Sequence, residues 1–151
     1  MSIPVIAPLP GKVVALSEVP DQVFAEQIVG SGVALDPDRT RGTLTVTAPI
    51  SGKIVKLHPH AFVVLGHGVG VLVHLGIDTV KLKGEGFELI AAEGDTVAAG
   101  APIVAFDPTK IAAAGYSVIC PVVVMDSGKD AVYTDSIGTT VDTGGLLFDS
   151  P

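Results

Sequence analysis

The chain has no tryptophan, one cysteine, and nine basic residues against sixteen acidic ones among its 151. Each shortage closes off a class of protein. A lone cysteine, Cys120, cannot form an internal disulfide. The opening Met1-Ser2-Ile3-Pro4 has neither the basic nor the apolar region of a secretory signal. The expected compartment is therefore the cytoplasm. Nine Lys and Arg at a net charge of -7 supply no basic patch for phosphate backbones, which excludes nucleic acid and suits a basic protein partner better. Aromatics are 5% of the chain, so the apolar mass lies in small branched side chains suited to strands.

Residues 57–77 carry no Asp, Glu, Lys or Arg, a run long enough to cross a bilayer. The same run holds all four histidines, Pro59 and glycines 66, 68, 70 and 76. Lipid would meet polar rings and broken helix, so no membrane insertion is expected. Glycine and proline punctuate the rest of the chain, with short Val, Ile and Leu runs between them, the rhythm of an antiparallel sandwich or barrel. The expected strands are 3–7, 12–16, 44–47, 53–57, 61–65, 69–75, 102–106, 121–124 and 145–148. Short helices are expected over 86–92 and over 108–114, the latter with Asp107 as N-cap, Pro108 at its first position and Gly115 as its stop.

Val5-Ile6-Ala7-Pro8-Leu9-Pro10-Gly11-Lys12-Val13-Val14-Ala15-Leu16 overlays Val46-Thr47-Ala48-Pro49-Ile50-Ser51-Gly52-Lys53-Ile54-Val55-Lys56-Leu57 with seven of twelve positions identical. A second pair places Gly94, Val97, Gly100 and Ile103 over Gly138, Val141, Gly144 and Leu147. Together they read as two copies of one β unit facing each other. The unit resembles the half-motif of biotinyl and lipoyl carrier domains. The expectation is one all-β domain over 1–151, an antiparallel sandwich or barrel-sandwich hybrid with an internally duplicated motif and one or two short helices.

The chemistry is concentrated in His58, His60, His67 and His74. His74 closes the apolar run Val71-Leu72-Val73 and precedes Leu75-Gly76, so a strand delivers its ring to a point where glycine permits close approach. If 60–65 pairs with 69–74 as a hairpin, residues 60 and 74 lie opposite each other and the two rings meet. An imidazole with its usual pKa near 6.5 is roughly three-quarters neutral at pH 7, so its free nitrogen can attack phosphorus unaided. Phosphoryl transfer asks for positioning and charge stabilisation, and a second ring can donate a hydrogen bond to the phosphoryl oxygens. His58 and His67 read as solvated, and Cys120 as core filling.

The segment Gly68-Val69-Gly70-Val71-Leu72-Val73-His74-Leu75-Gly76-Ile77-Asp78-Thr79-Val80-Lys81-Leu82-Lys83-Gly84-Glu85-Gly86-Phe87 resembles that of the glucose-type enzyme IIA family of the bacterial sugar phosphotransferase system. Val19-Pro20-Asp21-Gln22-Val23-Phe24-Ala25-Glu26-Gln27-Ile28-Val29-Gly30 and His60-Ala61-Phe62 agree as well, and the likeness runs from Ile6 to the C-terminus. The resemblance implies that His74 accepts phosphate on Nε2 from the phosphohistidine of HPr and passes it to the enzyme IIB domain of a sugar permease. It implies that His60 steadies the phosphoryl group and that Asp78 supports the site. Asp21, Val23, Phe24, Leu72 and Val80 correspond to the partner-docking rim. No cofactor is required, although zinc shared by His60, His74 and a partner's carboxylate fits the same pair. Regulatory targets among other proteins are known for some members and are not encoded in any residue here. Two departures stand out: His58 occupies a position where members often have threonine, and the sequence starts almost at its first strand, without the amphipathic segment by which some members reach membranes, so no membrane anchoring is expected.

A zinc metallopeptidase is the rival reading, because His58-x-His60 and His74-x-x-x-Asp78 are ligand-like spacings. Those peptidases place the two elements in the reverse order and are usually exported. A biotinyl or lipoyl carrier would need a lysine in a Met-Lys or Asp-Lys context at a hairpin tip, and none stands there.

Overall fold

The computed structural model describes residues 2–151. Strands form where glycine and proline bound short branched runs: β1 (Pro4–Ile6), β2 (Gly11–Ala15), β3 (Gly30–Pro37), β4 (Leu44–Thr47), β5 (Gly52–His58), β6 (Ala61–Gly66) and β7 (Val69–His74) in the first half. The second half adds β8 (Phe87–Leu89), β9 (Thr96–Val97), β10 (Pro102–Phe106), β11 (Cys120–Met125), β12 (Thr140–Val141) and β13 (Leu146–Asp149). The expected strands all form, with small shifts at their ends. The two helices are short, α1 (Gln22–Ala25) and α2 (Pro108–Ala113). In α2 the Asp107 carboxylate accepts from Thr109 N–H at 2.9 Å and Pro108 opens the first turn, as its sequence specifies.

The helix expected over 86–92 does not form. Phe87–Leu89 is instead β8, paired antiparallel with β10 through Phe87↔Phe106 and Leu89↔Val104. Gly84 and Gly86, at φ +88° and +91°, bend the chain into that pairing, and the Phe87 and Phe106 rings stack with centroids 6.1 Å apart. Cross-strand packing thus overrides a weak local helix preference.

Eight strands form one antiparallel sheet in the order β12-β2-β3-β11-β7-β6-β5-β9, beside a three-stranded sheet β4-β10-β8 and the pair β1-β13. None of the sheets closes into a barrel. The large sheet's order is a palindrome of the repeat: β2 matches β5, β3 matches β6, β11 matches β7 and β12 matches β9. Hydrogen bonds repeat the match. Ala7 accepts from Gly144 N–H and donates to Gly145 at 2.9 and 2.7 Å, as Ala48 does with Gly100 and Ala101 at 2.9 and 2.9 Å. The two copies also bind each other reciprocally, Ile6 N–H to Pro49 O at 3.0 Å and Thr47 N–H to Pro8 O at 2.9 Å. The duplicated β unit is therefore a pseudo-twofold with its axis between the two Ala-Pro turns.

The main core lies on one face of the large sheet, where Val13, Val33, Phe62, Val71, Val73 and Val122 meet Val46, Ile103, Val104 and Phe106 of the smaller sheet. Cys120 is buried within it, and burial pushes its thiol up to about 12, so it is an inert filler as expected. A second, smaller cluster sits on the opposite, outer face. There residues 16–29, carrying α1, fold back so that Leu16, Val19 and Phe24 cover Ala34, Ile77 and Val123.

Candidate functional site

The site stands at the end of β7, where the covered part of the outer face gives way to the open part. A two-residue turn makes the β6–β7 hairpin: His67 and Gly68 both adopt positive φ, +53° and +75°, the pattern whose twist matches paired strands. That turn fixes the register Gly66↔Val69 through Ala61↔His74, one residue away from the expected pairing of 60 with 74. The rings meet nonetheless, because His60 belongs to the turn before β6 and is freed from strand alternation. Its carbonyl accepts from Leu75 N–H at 2.7 Å. Its imidazole has its centroid 5.3 Å from that of His74, edge to face at 71°.

His74 is held by its own chain. Its Nδ1 faces the carbonyl oxygen of Gly76 at 2.5 Å. A carbonyl only accepts, so Nδ1 carries the proton and Nε2 keeps its lone pair. Gly76 can turn its carbonyl there because it sits at φ +79°, where an added Cβ would lie 2.7 Å from Thr79 Cγ2 and 2.8 Å from Ser117 O. The Thr79 hydroxyl, fully buried, donates to Leu75 O at 2.7 Å and braces the same bend. Phe24 tilts over the other side of the His74 ring at 5.3 Å. Burial draws His74 below the ordinary 6.5, against the opposing pull of the Gly76 carbonyl, Asp21 and Asp78. Burial and the neighbouring His74 and His58 also lower His60. Both rings are thereby kept neutral at neutral pH.

Of the other expected residues, Phe24, Asp21 and Asp78 act on His74 directly. Asp21 caps α1, its carboxylate accepting from Val23 N–H at 2.9 Å, while Phe24 is buried and Val23 and Val80 stand 44% and 59% exposed. Leu72 is half-buried beside the histidines, lining with Lys56, His58, Ala61, Phe62 and Val63 a shallow, mostly apolar depression of about 170 Å³. Asp78 is exposed at φ +61° with no capping bond from its side chain, so it is not a turn cap. His67 is exposed in its turn, as expected. His58 is exposed, as expected, and its ring also stacks on that of His60 with centroids 5.7 Å apart and planes 25° apart. Nothing in the sequence signals that contact, because it depends on a bulge in β5. Among the described residues no group of three or more His, Cys, Asp or Glu converges as a metal site. The ligand-like spacings behind the peptidase reading therefore do not assemble one.

Fold and site together define a class: a small antiparallel β protein that holds one part-buried histidine, its Nδ1 tied to the chain and its Nε2 free, against a second imidazole. Residues 3–129 match the family model described as phosphoenolpyruvate-dependent sugar phosphotransferase system, EIIA 1. The glucose-specific EIIA component of Bacillus anthracis is 38% identical over 93% of this chain and 84% of its own length. That of Bacillus cereus is 42% identical over 91% and 80%. The beta-glucoside-specific EIIBCA component of Bacillus subtilis is 41% identical over 82% of this chain, which spans 20% of that longer protein. The solved glucose permease IIA from Mycoplasma capricolum superposes with a TM-score of 0.88 at 33% identity, covering 99% of this chain and 96% of the other. The chain belongs to the EIIA family of the sugar phosphotransferase system. No helix is long and apolar enough to cross a membrane among the described residues.

Proposed function

We propose that the protein is a cytoplasmic phosphoryl carrier that takes phosphate from phospho-HPr onto His74 Nε2 and passes it to a cysteine of an enzyme IIB domain. The observation that carries this reading is the bond from His74 Nδ1 to the Gly76 carbonyl, which leaves a fixed Nε2 lone pair beside a second neutral imidazole. In-line attack by Nε2 on phosphorus breaks the donor's N–P bond and forms a new one. The donor nitrogen leaves with the electron pair. As charge spreads over the equatorial oxygens, a His60 N–H donates to them and holds the group for onward transfer.

Val23 and Val80 form an exposed apolar rim, with Asp21 and Asp78 as acidic groups for a basic partner surface. Asp78 acts through its field at His74. Transfer needs no cofactor in this reading. His60 and His74 could supply two imidazoles to zinc, and a partner's carboxylate would have to complete the site. The test uses labelled phosphoenolpyruvate with enzyme I and HPr. His74→Ala is expected to take up no label, while His60→Ala loads but discharges poorly to enzyme IIB; equal behaviour of all three proteins refutes the assignment.

A further inference from the structure

The outer face of the sheet carries a third imidazole that the carrier reading leaves idle. His58 reaches it because the β5–β6 register shifts between Ile54 and Lys56, a β-bulge at Val55. Up to Ile54↔Val64 the pairing is regular. Beyond the bulge, Leu57 opposes Phe62 on the core side, and His58 opposes Ala61 on the outer side. Continuous pairing would have turned His58 away from that face, so the bulge re-aims this side chain.

Across the sheet the outer row then reads His58, Ala61, His74. Ala61 is the small member of the row, and the His60 ring stands within 5.7 Å of His58 and 5.3 Å of His74 by centroid. His60 is thus flanked by two rings, parallel to His58 at 25° and edge-on to His74 at 71°. Of the three, His74 has its ring tied by a hydrogen bond to the chain. The orientation of His60, which must present an N–H toward the phosphoryl group, therefore rests on packing.

We propose that His58 is a positioning residue for phosphoryl transfer, its ring stacked on that of His60 so that His60 stays edge-on to His74. This role rests on the carrier reading. A flat ring is what the stack requires, and hydrogen-bonding capacity is not.

The experiment compares wild type with His58→Ala, His58→Thr and His58→Phe. Each is loaded through enzyme I and HPr and then discharged onto an isolated enzyme IIB domain. Loading should be equal in all four, because His74 is untouched. Discharge should slow about threefold to tenfold in the Ala and Thr variants and stay within about twofold of wild type in the Phe variant, the range of one aromatic pair. In the unphosphorylated proteins, NMR of the His60 ring should show displaced signals and greater motion for Ala and Thr, with order restored by Phe. Equal discharge in wild type and His58→Ala, rescue by Thr as good as by Phe, or unchanged His60 order in His58→Ala would each overturn the role. If wild type itself takes no label, the carrier reading falls, while the NMR comparison still decides whether His58 orders His60.

Discussion

The two halves of the duplicated unit share their strands and differ in what joins them. In the first half, β2 reaches β3 through residues 16–29, an excursion that lays Leu16, Val19 and Phe24 over the outer face. In the second, β5 reaches β6 through Pro59 and His60 alone. One half is roofed and the other bare. At the twofold-related positions, His74 ends β7 opposite Ala61, and Met125 ends β11 opposite Gly30. The duplication supplies a rigid scaffold, and the site comes from the places where the copies diverge: a roof edge bringing Phe24, a short turn bringing His60, and a bulge bringing His58.

Breaking the roof should have the largest effect. Phe24→Ala empties a buried aromatic position and is expected to cost about 3 kcal/mol in urea unfolding. A loss under about 1 kcal/mol would mean that the excursion is not packed as described. Next comes Gly76, whose counterpart two residues past Met125 is Ser127. Gly76→Ala meets both a positive φ and two close atoms, so a loss of about 2 kcal/mol is expected, together with displaced His74 ring signals in NMR.

The chemistry itself should respond to acid in a defined direction. His74 protonates below the ordinary 6.5, and protonation at Nε2 removes the nucleophile. The loading rate should fall in acid with a midpoint below pH 6.5, dropping about tenfold per pH unit once protonation dominates. A midpoint above 6.5 would show that Asp21, Asp78 and the Gly76 carbonyl outweigh burial. The smallest effect belongs to the bare half: Leu65, 45% exposed on the open face, should lose less than about 0.5 kcal/mol on change to Ala.

Much of this comparison could be read before any coordinates. The Ala-Pro repeat, the strands that flank it and the histidine pair all follow from spacing and resemblance. What escaped is non-local. β3 begins Gly30-Ser31-Gly32 and ends Asp36-Pro37, so its ends read as loop, and it is a strand because β2 and β11 pair with it on both sides. α1, four residues long, has too few turns to show a period. The hairpin register differs by one from the pairing of 60 with 74 because His67-Gly68 is the whole turn, a detail set by the positive φ of both residues. His58 depends on a bulge set by the packing of Leu57 and Phe62 against the core.

β1 and β13 pair through Pro4↔Asp149 and Val5↔Phe148, and Ser150 bonds back to Ile3. Nearly the whole chain must be made before this seam can zip, whereas the β6–β7 hairpin needs only its own two-residue turn. Assembly should therefore run from a local ribbon bearing His74 toward a late closure of head against tail. Unfolding is then expected to start at that closure, leaving the phosphate-bearing strand among the last parts to lose protection from hydrogen exchange.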